Sequence, residues 1–282
     1  MKKVLIILVS LFAFANTFAQ QAMVFKTLYL PSTKYSASVS MNTVLQMDFK
    51  GDSAELKKVA ANGTQLPIIM QNKNDVSYTV TTGTLNDKKL FPIAIKYQSV
   101  INKELVNGNE LPIDANNLGG QEITGLCNGE KMQLDTSNGK QLADSLKNVV
   151  VNSLNNVQAQ IYFPPTALKV GDTFFQDIPI AVPLTGIAMQ VNTHLVYKLI
   201  VIQNNIALFD ITQSINYKVT TPQGETNITG TGDGKLFFNI ANSFLKLYQT
   251  NLSLSYHMPM DKLTMVGTAK MTAVYKTDIT GK

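Results

Sequence analysis

The side chains best suited to chemistry are few and scattered. The chain carries two histidines, His194 and His257, and one cysteine, Cys127. His257-Met258-Pro259-Met260 sets an imidazole beside two thioethers, a donor set that suits Cu(I). The competing reading is a strand end and a proline turn, with the methionines filling core gaps. The two histidines, Cys127 and a methionine would formally compose a blue-copper set. Such sites draw their ligands largely from one short loop, and these residues are far apart in the chain. His257, Met258 and Met260 are therefore the metal candidates, and the expectation is no metal and no cofactor.

Other motifs weaken on their context. Ser137-Asn138-Gly139-Lys140 matches the S-x-x-K of penicillin-recognising enzymes, but the companion S-D-N and K-T-G are missing. Gly139 would also open the helix needed to aim the lysine, so the segment reads as a helix cap. Gly230-Thr231-Gly232-Asp233-Gly234-Lys235 has glycines and a lysine, yet a phosphate loop needs G-x-x-x-x-G-K-[ST]. Thr229 stands where the first glycine belongs and Leu236 follows the lysine. A bulge or bend in a long strand is the better reading. No GxSxG, HExxH or CxxC occurs. Asp172, Asp177, Asp210 and Asp233 have no spacing that recommends them as a hydrolytic pair, though such pairs converge in space and not in sequence. Asp52-Ser53-Ala54 and Asp144-Ser145-Leu146 match the short D-[ST]-aliphatic pattern that some exported proteins carry as O-glycosylation sites.

The elements that must position these residues are mostly strands. From residue 191 onward apolar residues alternate with period two. Val191, Leu195, Tyr197, Leu199 and Val201 face one way; Asn192, His194 and Lys198 face the other. After a turn at Gln203-Asn204-Asn205, Ala207, Phe209, Ile211 and Ile215 alternate with Asp210, Thr212 and Ser214. Thr221-Pro222-Gln223-Gly224 is a further turn. Residues 226–240, a stretch marked by Phe244 to Tyr256 and another from Leu263 to Tyr275 continue the pattern. In the first half, residues 35–49, 66–70, 76–82 and 90–101 read as strands, with turns at Asn62-Gly63 and near Asn86-Asp87. Strands longer than the usual five or six residues must twist and coil.

Between the halves, Leu142, Leu146, Val149, Val150, Leu154 and Val157 share one helical stripe. The expected fold is mainly β. Two curved, half-barrel-like antiparallel meanders (20–136 and 159–282) flank one packed helix (137–158), and the meanders are allowed to form one domain.

Residues 1–19 read as a signal peptide. Lys2 and Lys3 precede an apolar run from Val4 to Phe14, and Thr17-Phe18-Ala19 supplies small residues at the cleavage positions. The run is too short to span a bilayer, and no later stretch approaches a spanning length. Cys127 is the chain's one cysteine, so no lipobox follows the cleavage site and no internal disulfide can form. Stability must come from buried apolar surface, and Cys127 is expected to be part of it.

Charge excludes some partners. The 24 basic residues are all lysines, set against 19 acidic ones, and there is no tryptophan. Without arginine there is no guanidinium fork for phosphate or guanine. The lysines are scattered, so nucleic acid is not an expected partner.

The segment Phe163-Pro164-Pro165-Thr166-Ala167-Leu168-Lys169-Val170-Gly171-Asp172-Thr173-Phe174 carries a resemblance. A P-x-x-L-K-V-G-D-x-F/W motif, placed between two β meanders, resembles a family of exported bacterial proteins of unknown function. Tryptophan is common at its last position, where Phe174 stands. The resemblance implies no activity and no catalytic residue. Physically, Pro165, Val170, Gly171, Asp172 and Phe174 read as a structural turn. Gly171 supplies positive φ, Asp172 bonds nearby backbone, and Phe174 returns to the core.

The expectation is an exported protein, periplasmic or extracellular and soluble after cleavage. It is a non-enzymatic binding or carrier protein for lipid, apolar peptide or an envelope component. A structural role through sheet edges or polar β faces is the alternative, and a hydrolase is third. An aromatic-girdled transmembrane barrel is disfavoured by the placement of Tyr and Phe.

Overall fold

The computed structural model describes residues 22–61, 63, 65–112, 120–135, 161–184, 187–221 and 224–281. The signal segment, the helix expected over 137–158 and the motifs at Ser137 and Asp144 lie outside the described residues.

The strands are β1 (Thr33–Gly51), β2 (Ile68–Thr82), β3 (Phe91–Val106), β4 (Asn109–Glu110), β5 (Glu122–Cys127) and β6 (Met132–Asp135), then β7 (Thr173–Leu184), β8 (Ile187–Gln203), β9 (Ile206–Thr221), β10 (Gly224–Asn239), β11 (Phe244–Met260) and β12 (Leu263–Gly281). They form one 12-stranded antiparallel sheet in the order β6-β5-β3-β2-β1-β12-β11-β10-β9-β8-β7, with β4 paired beside β3. The path has two ends, so the sheet is not closed. Each half is a meander, as the alternation predicts. What joins them is β1 on β12, paired from Thr33↔Gly281 to Gly51↔Leu263 along the whole of both 19-residue strands.

One face of every long strand carries the buried side chains, as Tyr35, Ala37, Leu45 and Met47 do on β1. This inner face curls on itself. Flat strands at the usual spacing would put β9 and β11 about 9.5 Å apart. Yet Cα atoms of these two strands approach within 8 Å of each other. On β10 Gly230, Gly232 and Gly234 all face inward. A Cβ on any of them would overlap a backbone carbonyl of β11, those of Ser253, Asn251 and Gln249 in turn. The glycine run thus lets β10 and β11 approach closely. The pairing register passes through it unbroken and shifts later, between Phe237 and Phe238.

Neighbouring strands cover Gly232, and Gly267 on β12, with polar side chains. Gln213 lies over Gly232, its Nε2 donating to the carbonyls of Asp233 and Asn251 at 3.4 Å each. Tyr256 lies over Gly267 and donates to the Gln46 carbonyl at 3.2 Å. Glycine covered by a cross-strand aromatic is a known way to hold a bent sheet.

The inner face holds two clusters. One is aromatic: Phe25 and Phe163, from segments outside the long strands, pack edge-on and tilted against Phe209 and Phe238, and Phe174 stacks on Tyr197 at 4.6 Å. The other holds Met47, Met258 and Met265 with Leu45, Val191, Ile215, Ile228 and Leu254, and Met70 and Met271 pack against it.

Three local expectations change. Val201, expected to face inward with Leu199, is 38% exposed, because the β8–β9 register shifts between the two and puts Ile202 opposite the buried Ala207. Residues 66–70 and 76–82 read as separate strands, but β2 runs through the polar stretch between them. A helix, α1 (Ser53–Ala61), follows β1 where no helix was expected. Its start is capped by Asp52, whose Oδ1 accepts from the N–H of Ala54 and Glu55 at 2.8 and 3.1 Å. Asp52-Ser53-Ala54 is therefore a helix entry. The β8–β9 turn has Asn204 and Asn205 both at positive φ, 51° and 59°, the geometry a two-residue hairpin demands.

Candidate functional site: a band across the inner face

Strand register places residues of distant segments in single rows across the inner face. One row runs Glu104, Asn72, Thr43, Met271, Leu252, Gly232, Gln213, Leu195, Gln176. It lies between the aromatic and methionine clusters and crosses from β3 to the edge strand β7. Its polar members sit toward the two ends, and Met271 and Leu252 occupy the middle. Towards the aromatic cluster the next row holds Asn102, Asn74, Met41, Ala273 and Thr250. Met41 is 41% exposed and Val39, Thr43, Asn72, Asn74, Val76, Met271 and Ala273 are half-buried, so this part of the inner wall is open.

The other end of the band is closed and polar. Thr193 is 1% exposed, and its Oγ1 has no hydrogen-bond partner; nor has the buried Oε1 of Gln176. Thr193 pairs with Ile178 and Gln176 with Leu195, so the two are diagonal neighbours on the same face. Unpaired buried polar atoms cost roughly 1–3 kcal/mol each and call for an explanation.

The inner face is otherwise nearly free of charge. Among the described strand residues that face inward, Glu104 is the ionisable acid, and no lysine joins it. Burial raises the pKa of Tyr35, Tyr78, Tyr197, Tyr248 and Tyr256 above the usual tyrosine value.

The residues singled out from sequence fall elsewhere. Strand alternation sends His257 outward, exposed, and Met258 inward, 6% exposed. Met260 is 42% exposed at the end of β11. The three are not brought together. Among the described residues, no group of three His, Cys, Asp or Glu side chains is arranged to hold a metal. His194 Nδ1 lies 2.8 Å from Asp177 Oδ1 on the outer face of β7 and β8, with the exposed ring of Phe175 at 5.6 Å. Asp210 pairs with Lys235 at 2.9 Å, and Asp233 accepts from Asn251 at 3.1 Å. Cys127 is buried, its thiol pushed up by burial, and its Sγ accepts the Gly129 N–H at 3.2 Å.

The turn segment is well tied. Gly171 has φ +98° and donates to the Leu199 carbonyl at 2.7 Å; Asp172 Oδ2 accepts from the Lys169 N–H at 3.0 Å. Val170 packs against the aromatic cluster, Phe174 is buried in it, and Pro165 sits exposed in the bend before Leu168. These residues anchor β7 to β8 and lie outside the band. The band itself was missed because its members are ordinary Asn, Thr and Gln residues. The available signal was the inward parity of Gln213, Asn72 and Asn74 within otherwise apolar alternation.

Family models match no part of the chain, and no curated protein matches it. Among solved structures, a structure titled for lipid–protein interactions in lipovitellin aligns with 90% of this chain and 26% of its own, at 11% identity and TM-score 0.48. The Escherichia coli K12 type II secretion system secretin GspD aligns with 99% of this chain and 54% of its own, at 10% identity and TM-score 0.22. Aeromonas hydrophila ExeD gives 99%, 52%, 11% and 0.23. The chain thus spans about a quarter to a half of the length of these proteins. At such scores its function has to be argued from its own residues.

Proposed function

We propose that this protein is a non-enzymatic binding or carrier protein of the cell envelope that seats an apolar ligand on the inner face of its curved sheet. The observation that carries the reading is the band: a nearly uncharged inner wall, open around Met41, Val39 and Met271, between two apolar clusters. Ligand sites are concave and mostly apolar, with a few convergent polar groups. The signal-like residues 1–19 support export, and the P-x-x-L-K-V-G-D-x-F/W resemblance supports the same address. No helix among the described residues is long and apolar enough to cross a membrane. Lipid or apolar peptide is the partner class that this wall suits.

Pairing through sheet edges has less support. Pro179 and Pro183 lie on the edge strand β7, where a missing N–H spoils an incoming ladder.

The test is a titration of the delipidated protein with the neutral fluorophore N-phenyl-1-naphthylamine. Saturable enhancement with one site per chain, displaced by decan-1-ol, is expected. Linear, non-saturating enhancement would remove the carrier reading.

A further inference from the structure

Resting on the carrier reading, the geometry points to the kind of ligand: a single-chain amphiphile with an uncharged, hydroxyl-bearing head, such as a monoacylglycerol. The polar atoms of the closed end select the head. Gln176 Oε1 and Thr193 Oγ1 are buried diagonal neighbours without partners, and Gln213 stands between them and the glycine run. Gln176 offers an acceptor and Thr193 a hydroxyl that can donate or accept. A ligand hydroxyl satisfies both, and it would also suit the carboxamide if its ends were exchanged.

An anionic head has nothing to balance it here. The inward positions of the band carry no lysine, and the ionisable group at the opposite end is Glu104, whose charge repels an anion. Burying an unpaired carboxylate or phosphate costs far more than burying a hydroxyl. The lysines that could compensate face outward. Lys73 pairs with Asp75 at 3.0 Å and Lys235 with Asp210 at 2.9 Å.

The chain has a suitable seat beside the band. Met258 pairs with Met265, Leu45 with Met70, and Met271 with Leu252, which brings thioethers from three strands to one lobe. Methionine is unbranched and polarizable, so such a wall repacks around a flexible chain. The aromatic cluster is closed by Phe25 and Phe163 and offers no comparable give.

The experiment compares ligands sharing one ten-carbon chain as competitors of N-phenyl-1-naphthylamine at pH 7.5. They are 1-monodecanoylglycerol, decan-1-ol and sodium decanoate. The wild-type protein should bind the glycerol ester and the alcohol at least about tenfold tighter than decanoate, whose carboxylate would be buried without a counter-charge. In the Gln176→Leu/Thr193→Val variant the glycerol ester and the alcohol should each bind about tenfold more weakly, the worth of one well-made buried hydrogen bond, while dye affinity holds. Equal affinity of decanoate and the neutral ligands in the wild type overturns this inference but leaves the carrier reading standing. Failure of every competitor and of the dye overturns both. If the double variant does not fold, the wild-type ranking decides alone.

Discussion

The two clusters on the inner face are built from different materials. The aromatic one joins rings from β7–β10 and from the segments around Phe25 and Phe163, at centroid distances of 5.2–5.7 Å for the contacts of Phe163 with Phe25, Phe174, Phe209 and Phe238. Each ring has two side-chain torsions and a preferred approach, so the set locks. The methionine lobe is lined entirely from strand faces, and its long side chains have soft torsions and no directional demand. One end of the roll is made to hold shape; the other can change it. The polar band lies where they meet.

Alkaline pH should test the aromatic cluster most sharply. Buried tyrosines with raised pKa are protonated in the fold while the unfolded chain ionises above about pH 10. Their stabilisation is therefore complete below that pH and is lost as pH rises through it, by about 1.4 kcal/mol per pH unit for each such tyrosine. With Tyr78, Tyr197 and Tyr248 all shifted upward, urea midpoints should fall as pH rises above about 10. Near-UV dichroism of the aromatic rings lost well before the urea midpoint moves would contradict a locked cluster.

Gly232→Val attacks the close approach of β10 to β11 between the two clusters. Its Cβ would meet the Asn251 carbonyl and displace Gln213. A loss of about 3 kcal/mol or more is expected, because backbone on both strands would have to move. A stable, ligand-competent variant would show that the fold does not depend on this close approach.

Met258→Leu/Met265→Leu should have the smallest effect on folding, below about 1.5 kcal/mol per site, since volume and apolarity are kept. The same change should weaken binding of N-phenyl-1-naphthylamine, because leucine repacks less freely. Unchanged dye affinity in a folded variant would place the chain's seat elsewhere.

Much of the fold is legible in local pattern. Phe209, Ile211 and Ile215 declare the inner face of β9 by alternation alone, and Asn204-Asn205 declares its turn. The break expected inside β2 shows where pattern misleads. Asn72 and Asn74 look like a loop because they interrupt an apolar alternation, yet they face inward on a continuous strand and line the band. Helix α1 was hidden for the opposite reason: it buries no side chain, so its Asp52 cap and Glu55 were the only signal. The glycines of β10 read as a bulge or bend, but the register runs through them unbroken and shifts at Phe237 and Phe238, which no composition marks.

The sequence by itself determined which side chains face together along each strand, because the side-chain period of a strand is two and needs no partner. It also determined that no disulfide staples the chain and that little charge would face inward. Only the tertiary structure decided which strands stand side by side. Tyr35 meets Ile279 because the first and last strands pair, a contact between the ends of the chain that no local window encodes. That pairing carries the row from Glu104 to Gln176 across the sheet. The band exists only once the whole sheet has closed its register.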